Sequence, residues 1–242
     1  MGVWTKEFPN MKLAIMQPYL FPYLGYYQLI GAVDTFVIYD DVNYIKGGWI
    51  NKNRILLNDK TSLFTLQLVH KSPNKLINEI EIVPEGNNRS KILAMVSSAY
   101  KRAPLYDSVF PLIKEILMNN ESNLSEYLFY SLLKVSGYLG LNTKLIKSSC
   151  INKTTTLKAE SKVLDICLRL KARAYINAIG GMALYNKENF LAKKIKLKFI
   201  KMKDIKYKQY KNNFIPNLSI IDLMMFNSKS EISQMLKEYS LI

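Results

Sequence analysis

Two adjacent carboxylates, Asp40 and Asp41, close a short apolar run and open the stretch "DDVNYIKGGWINKNR". A carboxylate at the end of a strand is placed for binding or for taking a proton, so these two are the candidate catalytic bases. The bland alternative is a solvated strand end or a helix cap. The residues that follow favour chemistry: Lys46, Trp49, Asn51, Asn53 and Arg54 put cations, amides and an indole face in one short segment. A phosphorylated sugar needs that combination, with charge for phosphate, amides for hydroxyls and an aromatic face for a base or sugar ring. In "YINAIGGMALY", Gly180 and Gly181 mark a strand-to-helix turn whose backbone N–H groups could receive a phosphate or a developing oxyanion, with Asn177 and Tyr185 beside it. Glycines in such turns also serve backbone geometry alone. In "FIPNLSIIDLMMFN", Asn217, Ser219 and Asp222 could form a polar wall, although Ser219 as the cap of an apolar helix explains most of that stretch.

The stretch "IMQPYLFPYLGYYQLI", residues 15–30, is unusually aromatic. Rings with polar tips at a strand-to-helix loop suit a nucleobase or a sugar face. At helical spacing Tyr23, Tyr27 and Ile30 face a sheet, which leaves Gln17, Tyr19 and Tyr26 as the ligand candidates. His70, the single histidine, follows an alternating strand and sits beside the turn "KSPNK", a surface position more than a catalytic one. Cys150 and Cys167 lack the basic surroundings or helix-start position of an activated thiolate, and Cys167 falls on an apolar helical face.

The elements that must position these residues follow from periodicity. "KLAIM" and "TFVIY" read as buried strands joined by a helix that Pro22 opens, which is a parallel strand-helix-strand unit. "LFTLQLV" and "NEIEIV" alternate like half-buried strands and are expected as antiparallel additions to the same sheet. Amphipathic helices occupy about 88–140, after which "TKLIK", a helix through Cys167, and "AYINAI" resume the alternation. Nine lysines between Lys193 and Lys211 read as an edge strand with a solvated face. The expectation is one α/β domain over residues 11–242, Rossmann-like, with a mostly parallel sheet and a helical insertion, preceded by a short extension over residues 1–10.

The chain has 242 residues, 49% hydrophobic, and no apolar run of the roughly 20 residues that a membrane-spanning helix needs. With few cysteines and one histidine, no metal site is expected, and the chain reads as soluble and cytoplasmic. Its formal charge of +15 invites a polyanion partner, yet only five of its 34 basic residues are arginine, the residue that nucleic-acid readers favour. No motif specifies a cofactor, and nothing specifies an oligomeric state.

Five stretches, "MKLAIMQPYLFPYLGYYQLI", "DTFVIYDDVNYIKGGWINKNRI", "YKRAP", "YINAIGGMALY" and "FIPNLSIIDLMMFN", together resemble the WbqC-like protein family, in order from Met11 to about Asn227. Lys52 departs from the pattern, since an arginine is expected between the two asparagines of the tryptophan segment. The resemblance implies a place in the assembly of bacterial surface glycans such as O-antigen, with glycyl or other acyl transfer to an amino sugar suggested for some members. A weaker similarity links the opening stretch to Rossmann-like nucleotidyltransferases, with Tyr23 and Tyr26 standing where their signature histidines would be.

The sequence is therefore read as a transferase that forms an amide on the amino group of a nucleotide-linked amino sugar, using an activated acyl donor. Amine attack needs a base and an oxyanion stabiliser but no enzyme nucleophile. Two other classes stay open: a nucleic-acid or tRNA binder using its lysines, and a noncatalytic assembly factor for glycan enzymes.

Overall fold

The computed structural model describes residues 11–84, 87–210 and 213–242; the extension expected over residues 1–10 lies outside them. The first strand, β1 (Lys12–Met16), leads into helix α1 (Leu24–Gly31) and back to β2 (Thr35–Ile38), which pairs with β1 in parallel from Leu13↔Thr35 to Met16↔Ile38. The hairpin β3 (Lys52–Leu57) and β4 (Lys60–Thr65) follows, then the short pair β5 (Leu68–Val69) and β6 (Glu81–Ile82). Three helices come next: α2 (Asn87–Tyr100), α3 (Tyr106–Leu117) and α4 (Leu124–Tyr138). The chain returns through β7 (Lys144–Lys147), α5 (Ala159–Arg169), β8 (Ala174–Ala178), α6 (Lys187–Ala192) and β9 (Lys196–Met202). It finishes with α7 (Ile220–Phe226), α8 (Lys229–Met235) and β10 (Tyr239–Leu241).

Six strands form the central sheet in the order β10-β9-β8-β1-β2-β7, all parallel except the β9–β10 pair. This is the mixed, mostly parallel, Rossmann-like arrangement that the strand-helix alternation predicts. Side chains alternate between two packed faces. Ala14, Phe36, Ile38, Ile176 and Ile200 face a larger core shared with α1 and the helices, while Leu13, Ile15, Val37, Tyr175 and Phe199 face a smaller one with Val163 and Ile166 of α5. Burial on both faces explains why β2 is apolar at nearly every position instead of alternating.

Two expectations are corrected. "LFTLQLV" and "NEIEIV" do not extend the central sheet; they contribute to two separate two-stranded sheets, β3–β4 and β5–β6. The β3–β4 turn is made by Asn58 and Asp59, both at positive φ (49° and 61°), a conformation that suits a tight hairpin and that Asn and Asp tolerate. The lysine-rich β9 is not an edge strand, because β10 returns from the C-terminus and pairs with it antiparallel. Local patterning could not reveal either outcome, since a half-buried strand looks the same whichever partner it finds.

The chain crosses from β7, at one edge, to β8 on the far side of β1. Between β1 and β8 the winding direction therefore reverses, and in open α/β sheets ligands enter at such a switch point, beyond the carboxyl ends of the strands. The layers around that edge are tied by Asn123, which caps α4 by accepting from the backbone N–H groups of Ser125 (2.9 Å) and Glu126 (3.2 Å) and donates to the carbonyl of Asn78 (2.8 Å). Asn123→Ala should lower unfolding free energy by about 1–2 kcal/mol, measured by urea denaturation, with the slope unchanged.

Candidate functional site

The loop from β1 to α1 turns sharply at Phe21, whose φ of 44° leaves the carbonyls of Leu20, Phe21 and Pro22 in need of donors. Asn53 supplies two, its Nδ2 donating to Leu20 O (3.0 Å) and Phe21 O (2.7 Å). Ser219 Oγ also donates to Phe21 O (2.8 Å), and the N–H of Ile220 donates to Pro22 O (3.0 Å). The N–H of Ser219 in turn donates to Arg54 O (2.9 Å), so β3, the start of α7 and this loop form one unit. Asn51 ties down a different loop, donating to Leu66 O (2.7 Å) and accepting from Tyr44 Oη (2.9 Å). Asn51, Asn53 and Ser219 are all buried and spend their polar groups on the scaffold.

This unit walls a cleft of about 550 Å³ beyond the carboxyl ends of β1, β8 and β9. Tyr19 and Tyr23 come from the β1–α1 loop, Trp49 and Arg54 from the approach to and body of β3, Ile179 and Gly180 from the end of β8, and Lys201 from β9; Asn217 completes the rim. Of the residues predicted from sequence, the cleft thus brings together Tyr19, Trp49, Asn53, Arg54, Gly180 and Asn217. Tyr26 is enclosed against Phe36 (5.3 Å) and Tyr27 (6.1 Å), and its hydroxyl holds Gln17 O at 2.8 Å, so Gln17 and Tyr26 support the loop from behind. Lys46 is exposed outside the cleft. Asn177, Gly181 and Tyr185 pack together on the smaller core: a Cβ at Gly181 would lie 2.6 Å from Asn177 Nδ2, and the rings of Tyr185 and Tyr175 are 5.6 Å apart.

Helical spacing points Tyr23 at the sheet, yet it lines the cleft. The signal lies two residues on. A Cβ at Gly25 would come within 2.5 Å of Tyr23 Cε2, so only glycine lets that ring lie back across the start of α1. Burial raises the hydroxyls of both Tyr19 and Tyr23 above the ordinary phenol range, with the neighbouring Tyr23 adding to the effect at Tyr19, so both remain neutral hydrogen-bond donors.

Arg54 lies 5.1 Å from the centre of the Trp49 ring, and Lys52 lies 5.8 Å from it. The guanidinium makes one long contact, Nη2 to Asn217 O at 3.4 Å, and its enclosed Nε has no partner. Among the described residues no carboxylate pairs with Arg54, and none lines the cleft. An arginine without a carboxylate partner on an aromatic face, in a cleft that Lys201 also lines, is suited to an anionic group carried on a ring.

The two candidate bases stand elsewhere, at the end of β2. Asp40 is fully buried and accepts from Ser125 Oγ (3.0 Å), Ser148 Oγ (3.2 Å), Ser149 N (2.9 Å) and Ser149 Oγ (2.6 Å), which joins β2 to α4 and to the turn after β7. Asp41 pairs with Lys153 (2.7 Å) and Lys162 (3.3 Å) and accepts from Ser148 Oγ. Burial pulls its pKa upward, but the hydrogen bonds from Lys153 and Ser148 and the two lysine charges together hold it below the usual range. The geometry gives both carboxylates a full set of structural partners and no place on the cleft wall. His70 is exposed beyond β5, and Cys167 is buried in the smaller core, where desolvation pushes its thiol up to about 12.

A second hollow of about 520 Å³ shares Tyr23, Lys201, Met202 and Asn217 with the first, so the two form one groove with two lobes. Tyr207 lines the second lobe and donates to Asp222 Oδ2 (2.7 Å). The Asp222 carboxylate is buried and also accepts from Gln209 Nε2 (2.8 Å) and Tyr100 Oη (2.8 Å). Burial raises its pKa more than these donors lower it. The sequence singles out Asp222 but not its partner Tyr207, which sits among lysines 15 residues before it.

A mostly parallel, six-stranded sheet packed between helices, with an aromatic, cationic cleft at its switch point, defines a Rossmann-like α/β protein. The chain belongs to the WbqC-like protein family, which matches residues 17–234. It is 29% identical over 233 residues to the uncharacterized protein Rv1507c of Mycobacterium tuberculosis (strain ATCC 25618 / H37Rv), covering 93% of this chain and 97% of that one. No solved structure matches it. Among the described residues no helix is long and apolar enough to cross a membrane, and no cluster of His, Cys, Asp or Glu could hold a metal ion.

Two outcomes follow from this geometry. Asp41 ionises at lower pH folded than unfolded, so its stabilisation is present above about pH 4 and is lost as pH falls through the folded value. Asp41→Asn should cost about 1–2 kcal/mol at pH 7 and progressively less as pH falls below about 4, followed by urea denaturation across that range. Gly25→Ala should leave the melting temperature within a few degrees of wild type while displacing the Tyr23 ring, seen as a changed tyrosine signal in near-ultraviolet circular dichroism.

Proposed function

We propose that this protein is a transferase of surface-glycan assembly that forms an amide on the amino group of a nucleotide-linked amino sugar. The observation that carries the reading is Arg54: a guanidinium on the face of Trp49, with no carboxylate partner and a buried Nε that nothing satisfies, in a lobe that no described carboxylate lines. Phosphate oxygens are the fitting partners for Arg54 and Lys201, and the rings of Tyr19, Tyr23 and Trp49 supply surface for a base or a sugar. The family to which the chain belongs makes this the first class of ligand to test.

In this reading the nucleotide sugar occupies the first lobe and the activated acyl donor the second. The free amine attacks the acyl carbonyl, the C–N bond forms, and the activating group leaves with its bonding electrons. The proton shed by the amine passes to Tyr207 Oη as the tyrosine's own proton moves to Asp222, whose raised pKa makes it a ready acceptor. Asp40 and Asp41 act as supports in this scheme.

Thermal unfolding with a panel of nucleotide-linked amino sugars, their parent nucleotides and the free sugars tests the binding step. At about 100 times its dissociation constant the true ligand should add about 2.7 kcal/mol of stability. Arg54→Met should weaken that ligand by about 10- to 100-fold, and Arg54→Lys should restore only part, because ammonium cannot reproduce the planar fork. Incubation of the identified sugar with activated glycyl and acyl donors, read by mass spectrometry, tests the transfer. If tRNA stabilises the protein, with a steep dependence on salt, and no nucleotide sugar does, the transferase reading fails in favour of a nucleic-acid binder.

A further inference from the structure

The segment from Ile179 to Lys194 sends its apolar side chains in two directions. Tyr185 and Phe190 turn inward onto Tyr175, with ring centres 5.6 Å and 5.4 Å away, and they touch one another at 5.8 Å. Their immediate neighbours do the opposite. Leu184 and Leu191 are 68% and 69% exposed, more than any other large apolar side chain among the described residues. Met182 and Ile179, on the turn just before, are 45% and 40% exposed. Because Tyr185 and Phe190 converge on one ring, Leu184 and Leu191 are carried outward from a single anchored segment.

Exposed leucines scattered singly need no explanation, but these four exposed apolar side chains all fall within residues 179–191. They are also flanked by cations. Lys187 begins α6, and Lys193 and Lys194 follow its end, all three exposed. On the acidic side, Glu188 is exposed in the same stretch, while Glu160 is occupied by Asn186 N and Asn189 Nδ2. Exposed apolar side chains interspersed with lysines along one segment match a bilayer surface, where hydrocarbon lies beneath negatively charged headgroups. A second copy of the chain fits less well, because a two-fold contact would set these lysines against themselves.

We propose that the 179–194 segment docks on anionic lipid, with Leu184 and Leu191 entering the interface and Lys187, Lys193 and Lys194 meeting the headgroup phosphates. Ile179 and Gly180 also line the cleft, so docking sets the mouth of the cleft beside the lipid surface. The proposal is independent of the transferase reading.

Co-sedimentation of the full chain with vesicles of phosphatidylcholine, alone or mixed with phosphatidylglycerol, tests it. The chain should bind the mixed vesicles and not the neutral ones, and binding should weaken as salt rises from about 0.1 M to about 1 M. Leu184→Ser combined with Leu191→Ser should lower binding at least tenfold at unchanged melting temperature, since both side chains are exposed. Leu63→Ser, at a side chain 53% exposed on β4, should change nothing. No binding to the mixed vesicles, or equal binding by the paired variant, overturns the proposal. So does loss, in the paired variant, of a lipid-free self-association seen by sedimentation velocity, which would assign the surface to a second copy.

Discussion

The sharp exit of the chain from β1 sets up the rest of the site. Three successive carbonyls, those of Leu20, Phe21 and Pro22, must find donors at a turn where Phe21 adopts positive φ. Asn53, Ser219 and the N–H of Ile220 provide them from two distant segments, 32 and 198 residues away for the contacts to Phe21 O. A buried carbonyl left unpaired costs on the order of 1–3 kcal/mol, so these bonds fix the relative positions of β3, α7 and the loop. The residues that line the cleft are the sequence neighbours of those that make the bonds: Tyr19 and Tyr23 around the turn, Arg54 beside Asn53, and Asn217 near Ser219. The cleft is thus a consequence of a backbone constraint, with the amide and hydroxyl of Asn53 and Ser219 spent on the loop and the aromatic and cationic side chains left to line it.

The same economy governs the charges. Asp40 is saturated by serine donors, Asp41 by Lys153 and Lys162, and Asp222 by two tyrosines and a glutamine. None of these carboxylates faces Arg54 or Lys201 across the first lobe. A chain of formal charge +15 has ample cations, and the fold leaves Arg54 at the switch point without a carboxylate, its buried Nε unsatisfied. The remaining lysines are largely exposed, so they shape long-range attraction to anions more than stability.

Much of the fold was legible because parallel strands buried on both faces need apolar runs, and "KLAIM", "TFVIY" and "AYINAI" supply them. The partners of the remaining strands were not legible. The alternating pattern of β4 to β6 says only that one side is buried, and β10 reaches β9 from the far end of the chain. The candidate site divides the same way. Trp49, Arg54, Tyr19 and Gly180 stand out by type and spacing and line the cleft, whereas Tyr23 does not stand out, because helical periodicity cannot show that Gly25 makes room for its ring.

By itself the sequence determined the α/β class, the family and the segments from which a site could be drawn, because burial periodicity and turn chemistry are local properties. The tertiary structure alone decided which polar groups are spent and which are left over. Asp40 and Arg54 look equally chemical in the sequence; the fold encloses the first with four donors and leaves the second without an anion. That outcome depends on contacts between segments as much as 198 residues apart, whose geometry no local pattern encodes.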